Sequence, residues 1–275
     1  NLRKLSLARI NHSKGGKYAD LIYFLLSQFG FKLRFLNVIG TLGIARISSG
    51  FSDQLNSIYK NLIPNEIFSK GLGTYIVFIL ALLLFEFGEY LSHRISHSFL
   101  WELHEFHHSA TEMTILNVNR GSILEGALKS LVTLPIMLLA VVVINNSIEQ
   151  GQWFIFTLWT IFGIAGELFG YIGHSSLKLI FPKPISYIFL SPSLHWLHHS
   201  NNPKHFNKNF GRVLCIWDKL FGTYMDESHL SEIKFFGVDN SDYNKFNPFF
   251  SYYILPLKKF FTKTRTLFYP ILFNR

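Results

Sequence analysis

Residues 93–108 read HRISHSFLWELHEFHH, and residues 194–199 read LHWLHH. The first stretch supplies His93, His97, His104, His107 and His108, and the second supplies His195, His198 and His199. Eight of the chain's 12 histidines therefore sit in two short clusters. Residues three and four apart share a helix face, so HxxxH and HxxHH each aim two or three imidazoles into one small volume. That is metal-ligand spacing. A lone histidine is more often a core or interfacial residue, and His12, His205 and His229 are read that way.

Helical geometry constrains the first cluster further. On one unbroken helix its five histidines would fall within an arc of about 100°, but His93 and His108 would lie about 22 Å apart. Paired metals sit only about 3.5–4 Å apart. The spacing thus predicts a helix break between His97 and His104, within Ser98–Trp101. Two metals with four or five protein ligands each need roughly eight to ten donors. The eight clustered histidines and His174 make nine. Cys215 is the single cysteine, so imidazole and carboxylate must serve. Imidazole suits iron, zinc and copper alike, and the ligand type leaves the metal open.

The composition is that of a membrane protein. The 275 residues are 49% hydrophobic and only 16% charged, against about 25% charged for a soluble average. The net charge of +9 in so apolar a chain marks the cytoplasmic faces of membrane spans rather than nucleic-acid binding.

In chain order, residues 1–17 carry Arg3, Lys4, Arg9, Lys14 and Lys17 with no acid and no signal-peptide-like apolar run. Residues 18–47 are apolar but interrupted by Lys32 and Arg34, and read either as one imperfect crossing or as a helix in the membrane interface. A polar loop spans 48–71. Leu72–Leu91 is a strong span that runs straight into His93, and further spans lie near Ala127–Ile144 and Gln152–Ile172. The loop at 145–151 has no Lys or Arg, whereas segments beside the histidines carry many, so the histidine face is expected to be cytoplasmic. Two crossings separate the clusters, which therefore emerge on the same side. From about 200 onward the chain reads as a cap over them. Its end, Tyr252–Phe273, mixes lysines with aromatics and fits either a membrane-surface segment or a packed terminal helix.

The expectation is an all-α polytopic bundle of about four transmembrane helices, with a cytosolic helical cap holding a dimetal site. Its divisions are a basic arm and membrane-associated helices (1–71), a catalytic region (72–226) and a membrane-surface tail (227–275). Metal-bound imidazoles need acceptors for their free ring N–H groups. Glu86, Glu89, Glu102, Glu105, Glu125, Glu167 and Asp218 are the candidates. Glu89 is marked out because it leads His93 and His97 at i, i+4 and i+8. Trp101, Trp196 and Trp217 flank the clusters and read chiefly as interfacial tryptophans.

The sequence resembles the sterol desaturase and fatty acid hydroxylase superfamily of membrane di-iron proteins. The resemblance rests on HRISH at 93–97, LWELHEFHHS at 100–109, the Arg120–Glu125 segment, GHSSLKL at 173–179 and LSPSLHWLHHS at 190–200. NFG at 209–211 and WDKLFGTY at 217–224 continue it. It implies two irons held by His93, His97, His104, His107, His108, His174, His195, His198 and His199, with Glu86 behind them. It further implies dioxygen as co-substrate and electrons from NAD(P)H through a cytochrome b5-type or ferredoxin-type carrier. The product would be a hydroxylated or desaturated lipid taken from the bilayer. Many relatives carry a histidine two residues after the middle arginine, where this chain has Ser122. Two rivals compete with the oxygenase reading, a zinc-dependent lipid hydrolase and a histidine-cluster metal transporter or sensor. Transport sites tend to lie near the membrane midplane, whereas these clusters begin where the spans end.

Overall fold

The longest helix, α2 (Leu72–Phe99), carries the apolar run directly into the first two histidines. Its 28 residues extend about 42 Å at 1.5 Å per residue. The structure, a computed structural model, describes residues 15–29, 57, 72–147, 152–239, 242–243 and 245–273. The basic arm at 1–14, nearly all of 30–71 and residues 148–151 lie outside the described residues.

The remaining helices are α1 (Gly15–Phe29), α3 (Trp101–His108), α4 (Ile123–Ser147), α5 (Gln152–His174), α6 (His195–His198), α7 (Ile216–Leu220) and α8 (Leu255–Phe273). No β-strand occurs among the described residues, only isolated bridges at Phe189–Leu214 and Ser200–Phe236. The all-helical expectation thus stands. The number of membrane spans does not follow from it: among the described residues one helical stretch, Tyr75–Phe99, is long and apolar enough to cross a membrane. Helices do occupy the other two apolar stretches, as α4 and α5.

The break falls at Leu100, whose φ of −120° and ψ of 25° leave the helical region. Neither proline nor glycine causes it. The Leu100 N–H still donates to the Ser96 carbonyl (3.2 Å), while the N–H groups of Leu103 and His104 both turn to the Leu100 carbonyl (2.9 and 3.0 Å). The chain bends around that carbonyl, and α3 folds back toward His93 and His97.

Two apolar clusters hold the cap. One joins Met113, Leu190, Leu194, Trp196, Leu197, Cys215 and Leu230. The other joins Tyr23 of α1 to Phe106 of α3 and to Tyr243, Tyr252 and Leu255. Leu230 thus packs with residues before 226, and Tyr23 with residues after 71. Arg120 ties α1 down as well, with its guanidinium 2.5 Å from Asp20 Oδ1 and 2.8 Å from Ser109 Oγ. On α8, Lys259 pairs with Glu105 (2.8 Å) and Lys263 with Glu102 (2.6 Å). The start of the C-terminal helix is therefore packed along α3.

The outward surface is apolar. Leu21, Ile22 and Leu25 on α1, Ile79 and Leu80 on α2, Leu131 and Leu139 on α4, and Ile161, Ile164 and Leu168 on α5 are all exposed. On α1 the polar face is the inner one, since Asp20 and Ser27 are buried at the same time.

Candidate metal centre

The bend at Leu100 brings nine imidazoles into two groups. His93, His97, His104, His108 and His198 form one, and His107, His174, His195 and His199 form the other. Within each group the ligand atoms lie within 4.8 Å of one another. Neighbours on α3 separate because His104 and His108, four apart, share a face, whereas His107 points about 100° from His108. The groups adjoin: His108 stacks on His199 with ring centroids 4.3 Å apart.

Five of the nine rings are aimed from behind, four of them by backbone. Nδ1 of His93 donates to the Phe210 carbonyl (3.0 Å), His107 to Arg120 (3.1 Å), His174 to Gly170 (2.8 Å) and His198 to Lys208 (2.8 Å). A carbonyl can only accept, so these rings carry their proton on Nδ1 and present a bare lone pair at Nε2. His104 is held likewise by the Glu125 carboxylate, 2.6 Å from its Nδ1.

The inward nitrogens then face one another. His107 Nε2 lies 3.3 Å from His174 Nε2, and both are lone pairs. His195 Nε2 is 3.3 Å from His174 and 3.0 Å from His199, and His108 Nε2 is 3.1 Å from His97 and 3.2 Å from His104. Nε2 of His93 and of His198 are buried without a hydrogen-bond partner. The His107 and His174 lone pairs repel at this distance, and the buried His93 and His198 acceptors without donors are costly. A cation between them removes both problems. Metal–nitrogen bonds of about 2.0–2.1 Å put neighbouring ligand atoms about 2.9–3.4 Å apart, the spacing observed. The residues fit two metal ions.

The electrostatics agree. Burial, reinforced by the neighbouring imidazoles, holds His107, His108, His195 and His199 well below the ordinary histidine range. For His198 burial brings the pKa to about 3, against a hydrogen bond to the Lys208 carbonyl that favours the charged form. All five are neutral at pH 7, the state that binds metal. Burial opposes the charge on Glu125, but Lys129 and His104 overcome it and hold the carboxyl well below its usual range.

The carboxylates expected behind the histidines divide. Glu125 does orient a ring. Glu86 does not touch an imidazole: its Oε2 accepts the N–H groups of Val213 and Leu214 (3.0 and 2.9 Å). Asp218 acts one step back, accepting from the N–H groups of Phe210 and Gly211 (2.8 and 2.7 Å) and so fixing the loop whose carbonyl holds His93. The same loop needs glycine at 211, where a Cβ would strike the Leu214 carbonyl oxygen and lie 2.8 Å from Asp218 Oδ2. Among the described residues the Glu89 carboxylate has no hydrogen bond or ion pair, and the i, i+4 spacing to His93 leads to no contact. Glu102 and Glu105 serve α8, and Glu167 pairs with Arg212 (3.0 Å).

Trp101 lies against His97 and His108, its ring centroid 5.4 Å from each. Trp196 belongs to the cap core and donates to the Ser175 carbonyl, and Trp217 packs on Phe87 of α2. His205 and His229 sit apart on Glu232, and His12 is outside the described residues. Ser122 is buried, and its carbonyl accepts the Gly126 N–H (3.1 Å) that opens α4. Both groups form without an imidazole there. Sequence reasoning missed the carbonyl acceptors, because any residue type can supply one. The NFG at 209–211 was the available signal.

The fold and centre together define a helical protein built around a nine-histidine site for two metals. The family model described as fatty acid hydroxylase matches residues 78–223, over half of the chain. The chain belongs to the fatty acid hydroxylase family. It is 32% identical over 149 residues to an ornithine lipid hydroxylase from Rhizobium tropici, covering 53% of this chain and 41% of that protein. It is 31% identical over 153 residues to the alkylglycerol monooxygenase of Caenorhabditis elegans (55% and 27%). To the alkylglycerol monooxygenase of Homo sapiens it is 30% identical over 145 residues (52% and 29%). The chain thus spans less than half the length of these relatives. No solved structure matches it.

Proposed function

We propose that the chain is an O2-dependent di-iron hydroxylase of a membrane lipid. The observation that carries the reading is the pair of histidine groups, with the protons of five rings fixed outward and their lone pairs turned inward. The names of the relatives, hydroxylase and monooxygenase, favour hydroxylation over desaturation. Iron bound there supplies dioxygen activation and C–H oxidation, chemistry for which neutral nitrogen donors are suited. The chain's own part is to hold the imidazoles neutral and oriented, through the carbonyls of Phe210, Arg120, Gly170 and Lys208 and the carboxylate of Glu125.

The membrane reading goes with it. Leu and Ile side chains are exposed on α1, α2, α4 and α5, as on helices that face lipid. They support a multi-pass protein, and the Lys and Arg residues beside the histidines support a cytoplasmic histidine face. Electrons would come from NAD(P)H through a cytochrome b5-type or ferredoxin-type carrier. Protein made under iron-replete conditions should bind two irons per chain and, with 18O2 and a reductant, place one labelled oxygen in a lipid. His107→Ala should abolish the product. Identical lipid products from wild type and variant would refute the proposal, and activity with zinc in the absence of oxygen would establish the hydrolase instead.

A further inference from the structure

One cavity reaches both histidine groups, and half of its wall is polar. It encloses about 330 Å³ and touches His93 and His104 of the first group and His107 of the second. Its remaining wall includes Ser27, Ser122, Glu125 and Lys129, and Val118, Ile123 and Tyr252 contribute apolar surface. Lys129 Nζ lies 2.7 Å from Glu125 Oε1 with the side chain 30% exposed, so one of its three donors is engaged by the carboxylate. Arg120 also borders the space, but its charge is met by Asp20.

The polar half of this wall is a poor surface for hydrocarbon. An alkyl chain laid against the Lys129–Glu125 pair and the serine hydroxyls would strip their water and return no hydrogen bond. A group that donates and accepts would replace that water. The balanced charge of the lysine and the carboxylate favours a partner without net charge. The volume is at the lower end of the roughly 300–1,000 Å³ of small-ligand pockets, room for one end of a lipid rather than its length. Exposed Ile123 and Gly126 lie on its border in the first turn of α4, and a Cβ on Gly121 or Gly126 would meet nothing within 4 Å. The protein leaves this edge open.

We infer that this cavity binds the polar end of the substrate, a head of no net charge that both donates and accepts hydrogen bonds. The tail leaves past Ile123 and Gly126. The carbon brought to the imidazoles is then one within a few bonds of the head, not one far along the chain. The statement about the carbon rests on the hydroxylase reading; the statement about the cavity does not.

The test uses the full chain in nanodiscs with Gly126→Cys as a reporter, the wild type with its buried Cys215 serving as the blank. Alkylation by a water-soluble maleimide is timed with 1-octanoylglycerol, octylphosphocholine, octanoate or octane. The glycerol should slow labelling about tenfold when present at about ten times its Kd, whereas octylphosphocholine, which has no hydrogen-bond donor, should protect less. Equal protection by octane or octanoate, or protection by none, overturns the proposal. For the carbon, 18O found next to the head supports the inference, and 18O in mid-chain overturns it. A protein in which the reporter thiol is protected as expected, yet which oxidises no lipid, would sink the hydroxylase reading while leaving the cavity assignment intact.

Discussion

Replacing Glu125 by alanine should weaken one metal and spare the other. Glu125 Oε1 lies 2.6 Å from His104 Nδ1 and 2.7 Å from Lys129 Nζ, with the side chain 4% exposed. Lys129, 30% exposed, can turn to solvent when its partner goes. His104, 2% exposed, cannot. In the metal-free protein its ring is able to rotate and find another partner, but once ligated it must keep Nδ1–H buried and unpaired. That costs about 1–3 kcal/mol, or about 5- to 140-fold in affinity at 1.4 kcal/mol per tenfold, in line with the roughly 10- to 100-fold seen when orienting partners of metal ligands are removed. The cost falls on the group that contains His104, and the His107, His174, His195 and His199 group should hold its ion as before. Chelator competition with iron counted per chain reads this directly: one equivalent lost at lower chelator, one retained. Glu125→Gln keeps an acceptor for Nδ1–H and should shift the first equivalent much less. A parallel shift of both equivalents, or of neither, would refute the claim that Glu125 acts through His104.

Gly211→Ala should displace the Phe210 carbonyl from His93, since the new Cβ collides with the Leu214 carbonyl and Asp218; reduced iron content without loss of helical circular dichroism is the expected result. Asp20→Ala leaves the Arg120 guanidinium, 2% exposed, without its charge partner. Breaking such a buried pair costs about 3–5 kcal/mol, and the variant should unfold at markedly lower temperature, while the paired change Asp20→Asn with Arg120→Gln should recover part of the loss. The metal-free protein should lose stability in acid. The fold lowers the pKa of His198 from about 6.5 to about 3, so the unfolded chain takes up the proton first. The contribution is complete above about pH 6.5 and declines as pH falls toward 3, by about 1.4 kcal/mol per pH unit for each such histidine. Thermal unfolding of the apoprotein at pH 7.5 and 5.5 measures it, and equal midpoints would contradict the neutral-imidazole cage.

Much of the centre was legible from spacing. The run from His93 to His108 could reach a single site only if its helix broke, and the break lies at Leu100, inside the interval the sequence allows. The even number of apolar stretches between the clusters required that they emerge together, and they meet. Spacing does not single out the supporting carboxylates, and Glu86 rests on the family resemblance. Glu89 has the right helical interval but makes no contact, and Glu86 spends its oxygen on the 213–214 backbone. A helical interval states which side chains share a face; it does not state what packs against that face.

What the sequence by itself determined is the inventory: nine imidazoles, a mandatory bend, an apolar helix leading into it, and the absence of thiolate chemistry. Only the tertiary structure decided the division into five and four. His107 leaves its neighbours His104 and His108 to join His174, His195 and His199, because a single step along a helix turns a side chain by about 100° and the partner on each face arrives from distant chain. The tertiary structure also decided the proton positions. Four rings are fixed by carbonyl oxygens, groups that every residue carries and that only the path of the backbone can aim.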